Sequence, residues 1–282
     1  MTDATDRVPI EPQSIVTPLS KAAVFLVLTF DPAAQALTRV LEVISDIGAL
    51  TRAVGFRDLR GRLSCNVGIG SDAWDRLHRP QRPAQLRRFA EIRGPVHTAP
   101  ATAGDLLFHI RAERPDMCFD LERLLLQALG DCVTVEDEVQ GFRYFDSRDL
   151  LGFVDGTENP TGSAIDTGSQ EAIVGRSKLE NVELEDAPGQ ESHKTLTTIV
   201  DEHGVEHDIL RDNMPFGRPG HAEYGTYFIG YARNLWVIEQ MLHTMFVGGK
   251  CGRHDRILDF STAITGSTFF APSNSLLMTL AG

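Results

Sequence analysis

The sequence predicts an α+β protein of two domains, each an antiparallel sheet with a helical layer on one face. Three observations carry that expectation. Ala22–Phe30 (AAVFLVLTF) is an unbroken apolar run of strand length. Pro115–Leu129 repeats apolar residues at helical spacing, with Asp116 and Asp120 towards its positive end. The first half then alternates strand and helix patterns in the order β-α-β-β-α-β, the ferredoxin-like pattern. A length of 282 residues also favours two domains over one.

Residues 1–20 carry Pro9, Pro12 and Pro18 and read as an irregular lead-in. Ala22–Phe30 is the first strand, and the Ala- and Leu-rich Pro32–Leu50 is the first helix. Leu63–Ile69 alternates as a strand does, and Ala73–Leu77 suits a short helix. Gln81–Pro100, rich in Pro and Arg, reads as a long irregular connection. Leu106–Ile110, Pro115–Leu129 and Val133–Tyr144 complete the first half as strand, helix and strand. Thr161–Ser169 is small and polar, a loop or linker, and Gln170–Val174 suits a helical turn. Lys194–Val200, Glu206–Arg211 and Gly225–Ala232 read as strands, and Asn234–Phe246 as an amphipathic helix capped by Asn234. Phe260–Phe270 holds the last strand. The second half looks like another ferredoxin-like unit without its opening strand. The domain expectation is 18–148 and 149–273, with a tail at 274–282.

Composition narrows the function. A net charge of −12 and a pI near 5.2 argue against nucleic-acid and anionic-membrane partners. No apolar run approaches a membrane span of about 20 residues, and the polar start lacks a signal-peptide core. The expected location is therefore cytoplasmic. Cys65, Cys118, Cys132 and Cys251 are scattered, with no CxxC or CxxCH pair. That spacing supports neither a zinc cluster, a redox dithiol nor covalently attached heme, and leaves buried thiols as the expectation.

Chemistry is suggested by one turn and by two later segments. Gly152–Pro160 (GFVDGTENP) runs an apolar pair into Asp155-Gly156, then a polar cluster, then Pro160. Such a turn presents the Asp155 carboxylate at a pocket edge, and Gly156 permits φ > 0 and a close approach by another group. An Asx-type turn between two elements fits the same residues. His193 stands alone in Glu191-Ser-His-Lys-Thr195, ahead of an expected strand, as a ligand or as a satisfied core histidine. His97 and His109 suit core positions, while His203, His207 and His254 lie in polar loops and look solvated. Arg211 and Asn213 precede the sharp turn Pro215-Phe216-Gly217. They pair a cation with an amide donor, suited to a polarised oxygen species or to capping a strand.

Together, Gly152-x-x-Asp155-Gly156, His193, Arg211-x-Asn213-Met-Pro-Phe-Gly217 and Glu223-Tyr-Gly-Thr-Tyr-Phe-Ile-Gly-Tyr231 resemble the dye-decolorizing peroxidases, most closely the bacterial B-type members. Asp255-Arg-Ile-Leu-Asp-Phe-Ser261 and Phe269-Phe270 fit the same pattern, so the resemblance runs from about Pro18 to Ser273. It implies two ferredoxin-like domains, with one heme b per chain in the second. His193 is then the axial iron ligand, with Asp255 as acceptor for its other ring nitrogen and Asp259 as the fallback. Asp155, Arg211 and Asn213 are the catalytic set on the opposite face. Gly156, Glu158, Phe228 and Arg176 join the cofactor-binding set, Arg176 as a propionate partner or else an exposed loop cation. Phe216 is a second apolar wall. The implied reaction reduces hydrogen peroxide and oxidises dyes, phenolics or similar one-electron donors. Tyr224, Tyr227, Tyr231 and Trp236 are relay candidates or core residues. A homo-oligomer is expected on the resemblance alone.

Two departures matter. Between Asn159-Pro160 and Val174-Gly175-Arg176 the family carries roughly 30–40 more residues, a strand and a helix, which this chain replaces with Thr161–Ser169. An internal strand lost from a sheet leaves backbone groups on its neighbours that need other partners. Hence the alternative reading: a heme-binding scaffold or cargo protein with little turnover. The apolar tail Asn274–Gly282 reads as a frayed end, with a faint likeness to peptides that dock family members in an encapsulin shell.

Overall fold

The structure is a computed structural model describing residues 10–77, 81–145, 149–150 and 166–281. In chain order it has β1 (Ala22–Phe30), α1 (Ala34–Ser45), α2 (Ile47–Gly55), β2 (Ser64–Gly70), α3 (Ser71–Arg76), β3 (Ile92–Arg93), β4 (Thr98–Ala99), β5 (Leu106–Ala112), α4 (Pro115–Leu129) and β6 (Val133–Phe142). There follow α5 (Thr167–Val174), α6 (His193–Thr197), β7 (Ile199–Val200), β8 (Glu206–His207), β9 (Leu210–Arg211), β10 (Met214–Arg218), β11 (Glu223–Tyr227), β12 (Gly230–Tyr231), α7 (Leu235–Val247), β13 (Phe269–Phe270) and α8 (Asn274–Met278). The described residues of Met1–Pro83, Gly104–Glu138 and Phe269–Gly282 form one compact unit, and those of Ala84–Ala103 and Val139–Thr268 the other.

In the first unit the strand order is β13-β2-β5-β1-β6, with β5 antiparallel to both β1 and β2. Leaving β13 aside, the four strands β2-β5-β1-β6 have the ferredoxin-like order, as the element pattern predicts. β1 and β5 are buried along almost their whole length, and Phe25, Leu26, Phe108 and Ile110 are sealed from solvent. Burial on both faces explains why their sequences are continuous apolar runs and not alternations. Leu121 and Leu125 of α4 close the core, and Pro115 opens that helix where a missing N–H costs nothing. The helix expected over Pro32–Leu50 is instead two, broken at Asp46. The Asp46 carbonyl accepts from the N–H groups of Ala49 and Leu50 and so starts α2. His109 is a core histidine, stacked on Phe25 with ring centroids 4.8 Å apart. Burial, with Arg111 nearby, holds its pKa well below the ordinary value, so it is neutral.

The last strand falls within the expected stretch but joins the first sheet, where Phe269 and Phe270 pair with Gly70 and Ile69. Gly68 is required beneath it, since a Cβ there would sit 2.7 Å from the Phe269 Cβ. The lead-in is also part of this edge. Gln13 Oε1 accepts from the Val67 N–H at 2.7 Å, while its Nε2 donates to the carbonyls of Val67 (2.8 Å) and Pro272 (2.7 Å). The tail is not frayed: it forms α8, capped by Ser273, and Leu280 is only 2 % exposed. Nor are the thiols uniformly buried. All four cysteines are free, Cys118 is buried and Cys251 is exposed.

The second unit is organised on α7. Val237, Met241 and Met245 pack with Ile173, Ile199, Ile257 and Leu258. Among the described residues its strands join only in twos, β3–β4, β7–β8, β9–β12 and β10–β11. The strand expected over Lys194–Val200 is α6 followed by β7, because Ser192 caps a helix there. Glu206–Arg211 divides into β8 and β9, and Gly225–Ala232 into the end of β11 and β12. Asn234 stands at the α7 cap position, but its Oδ1 accepts from Gln85 Nε2 at 3.2 Å and makes no cap bond. Asp166 caps α5 through the Ser169 N–H, so the expected linker becomes helical from Thr167. Ile92 and Ala99, in the expected irregular connection, pack on the α7 core. No helix among the described residues is long and apolar enough to cross a membrane.

One buried acid makes the first unit sensitive to pH. Burial first, and then the neighbouring Glu138 carboxylate, push Glu122 of α4 up to about 7. The fold therefore holds the protonated acid, and stability is lost as pH rises from the ordinary carboxylate range through about 7. Glu122→Gln should gain up to about 3 kcal/mol over the parent at pH 8, with the gain vanishing towards pH 4. Urea unfolding at the two pH values measures it.

Candidate functional site

His193 is fixed from below by a small polar knot. The Asp186 Oδ1 accepts from the Ser192 N–H (3.0 Å), the Ser192 hydroxyl (2.6 Å) and the Thr195 hydroxyl (2.9 Å). Burial alone would raise the Asp186 carboxyl, but these hydrogen bonds from Ser192 and Thr195 hold it below its usual range. Gly175, at φ +82° after α5, lets Ser192 approach; a Cβ there would lie 2.5 Å from the Ser192 Oγ. His193 is therefore the first residue of a short capped helix, and is 8 % exposed.

Its ring meets a fully buried carboxylate. His193 Nδ1 lies 2.6 Å from Asp255 Oδ2. Asp255 is itself held at three points. Its Oδ1 accepts from the Ile257 N–H (3.1 Å), its N–H donates to the Met245 carbonyl (2.7 Å), and its carbonyl accepts from Leu258 (3.0 Å). A carboxylate is an acceptor, so the imidazole proton belongs on Nδ1 and the Nε2 lone pair is left for a ligand. Hydrogen bonding of this kind is how a protein sets the tautomer and raises the donor strength of a metal-binding histidine.

Arg211, on β9, reaches the helix that His193 begins. Its Nη2 donates to the Thr197 carbonyl at 3.4 Å and lies 3.4 Å from Met241 Sδ. Asn213 Oδ1 accepts from the Ile229 N–H at 3.0 Å, which ties the segment before β10 to the start of β12. Phe228 packs against the α7 core. Arg176 pairs with Glu183, Nη2 to Oε1 at 2.9 Å, across an isolated β-bridge. Asp155, Gly156 and Glu158 lie outside the described residues.

Asp259 does not serve His193. It binds His97 and His254, whose Nε2 atoms lie 3.1 Å and 2.7 Å from the same Oδ1. Burial would raise the Asp259 carboxyl, but the His254 and His97 bonds bring it below its ordinary range. His254 is thus not a solvated loop residue. The pairing joins positions far apart in the chain, and no local pattern announces it. Asp186 was also out of reach of a sequence reading, although Asp-x5-Ser-x-x-Thr is in hindsight a capping signal.

Both halves of the chain match family models: Dyp-type peroxidase, N-terminal, over residues 12–143, and Dyp-type peroxidase, C-terminal, over residues 163–276. A dye-decolorizing peroxidase of Mycolicibacterium paratuberculosis (strain ATCC BAA-968 / K-10) is 49 % identical, over 95 % of this chain and 85 % of its own. A DypB variant of Rhodococcus jostii RHA1, solved in complex with heme, superposes with a TM-score of 0.91 at 50 % identity, over 96 % of this chain and 99 % of that one. The encapsulated DyP-type peroxidase of Mycobacterium smegmatis gives 0.90 at 46 % identity, over 96 % and 98 %. The fold is that of an α+β protein, and its second unit buries an imidazole against a carboxylate. The chain belongs to the dye-decolorizing (Dyp-type) peroxidase family, with that family's two ferredoxin-like domains. The alignment to the M. paratuberculosis enzyme spans 304 residues, more than the 282 present here, so that relative carries internal residues that this chain lacks.

Asp255→Ala should cost roughly 2 kcal/mol or more, because it strips both the His193 Nδ1–H and the Ile257 N–H of their buried acceptor. Denaturant unfolding at neutral pH gives the value. Asp255→Asn, which keeps an acceptor oxygen, should lose less.

Proposed function

We propose that this chain is a heme b peroxidase, reducing hydrogen peroxide and oxidising dyes, phenolics or similar small one-electron donors, with His193 as the iron ligand. The observation that carries the reading is the 2.6 Å contact between His193 Nδ1 and the buried Asp255 carboxylate. That donor set fits heme: one imidazole with its Nδ1 side turned to Asp255 and its Nε2 left for iron, on a helix start held by Asp186. Heme, when bound, would supply the iron at which peroxide is reduced and to which the small donors return electrons one at a time.

The chain's own residues do the rest. Asp255 keeps the proton on His193 Nδ1 and so strengthens Nε2 as a donor. Arg211 stays protonated at any working pH and stabilises negative charge growing on the departing peroxide oxygen. Asn213 adds an amide N–H for the same oxygen. Asp155 takes the proton from the peroxide oxygen nearer the iron and returns it to the leaving oxygen. Phe228 and Phe216 are apolar walls, Gly156 and Glu158 join the cofactor-binding set by the family pattern, and Arg176 meets a propionate if it exchanges Glu183 for it. The heme-bound DypB supports the cofactor assignment, and nothing among the relatives favours a carrier without turnover. A shell partner is suggested by the encapsulated M. smegmatis relative. Docking through the tail would require α8 to release the buried Leu280.

The test is the absorption spectrum of the heme-reconstituted protein before and after one equivalent of peroxide. A sharp Soret band that responds to peroxide and disappears in His193→Ala is expected. Arg211→Leu should keep the band and lose peroxide turnover by about 10²-fold or more. A band unmoved by peroxide in the parent would remove the peroxidase reading and leave a heme carrier.

A further inference from the structure

His97, His254 and Asp259 bring two imidazoles and a carboxylate together at a place the heme reading does not use. One ligand atom from each of His97, His254 and Asp259 lies within 4.8 Å of the other two. The rings meet edge to face at 4.7 Å, and both Nε2 atoms point at the same carboxylate oxygen. We propose that this cluster is a second metal site, for a zinc-class divalent cation held by His97, His254 and Asp259.

The chemistry of the donors sets the class. Two imidazoles and one carboxylate suit zinc and its first-row neighbours, whereas calcium and magnesium want oxygen alone. In a tetrahedral zinc site with bonds of about 2.0–2.1 Å, ligand atoms stand about 3.3 Å apart. The separations of 2.7 and 3.1 Å from Asp259 Oδ1 need a few tenths of an ångström of opening, while the two imidazole nitrogens, within 4.8 Å of one another, close by up to about 1.5 Å through side-chain rotation. The histidine side chains are about one-fifth exposed and that of Asp259 about one-third, so a cation enters from solvent and keeps water as its fourth ligand. Arg256 Nε lies 4.0 Å from the other Asp259 oxygen, Oδ2, and leaves Oδ1 to the metal.

The position gives the site a consequence. Asp259 lies within the 3-10 turn Arg256–Phe260, and His254 immediately precedes Asp255, the cap of that turn. A metal joining them to His97 pins the turn that carries the carboxylate of the His193 pair. The proposal stands on the three side chains and does not need heme to be bound.

Zinc titration calorimetry on the chelator-treated, heme-loaded protein tests it. One zinc per chain is expected, with affinity at least tenfold weaker in His97→Ala and in Asp259→Asn and unchanged in His203→Ala, whose ring lies outside the cluster. Thermal unfolding should rise with zinc in the parent but not in Asp259→Asn. If the variants fold poorly, X-ray absorption of the zinc-loaded parent decides. A shell of two imidazole nitrogens with oxygens supports the site; sulfur ligands, an all-oxygen shell, or no stoichiometric zinc uptake by the parent overturns it.

Discussion

The hydrogen bond between His193 and Asp255 is the constraint on which the second unit turns. A carboxylate with no exposure is tolerated only if its oxygens are satisfied, and here they are shared between a ring nitrogen and the Ile257 N–H. The same residue ties its own backbone to the end of α7 through Met245 and opens the turn Arg256–Phe260. One side chain therefore sets the imidazole tautomer, joins the core helix to the following loop and fixes where Asp259 can reach. On the other side, Asp186 gathers Ser192 and Thr195 and orients the helix start that carries the ring. The imidazole is thus held by two carboxylates that do different things, one polarising it and one placing it.

How much of this could be read from the chain follows from the range of the forces involved. β1 and α4 were legible to the residue, because an apolar strand run and a Pro-headed helical period are local signals. His193 and Asp255 were named as partners through the family pattern, and the geometry joins them. The strand expected at Lys194–Val200 failed because Thr195, Thr197, Thr198, Ile199 and Val200 are β-branched, while the helix is decided by a cap whose anchor lies at Asp186. The His97–Asp259–His254 cluster was invisible for a different reason: His97 stands about 160 positions before the other two, and only tertiary structure brings it to them.

The sequence ahead of α5 is short, and among the described residues the second-unit strands pair only in twos. A relative whose alignment outruns this chain's length has more backbone there or elsewhere inside the aligned span. What the second unit has instead of a wide described sheet is a packed helix, α7, with Met241 at its centre. Methionine side chains fill irregular gaps well, which suits a core assembled from short pieces.

The edge of the first sheet has a bearing on how the chain is made. Its β1, β2 and β5 strands lie within the first 112 residues, but β13 comes from residues 269 and 270, and the Gln13 amide finds its third partner only at Pro272. A ribosome emits these in order, so β2 waits with an open hydrogen-bonding edge while more than half the polypeptide is synthesised. During that interval the bare edge is a template for any passing extended segment, until Phe269 and Phe270 emerge and close it.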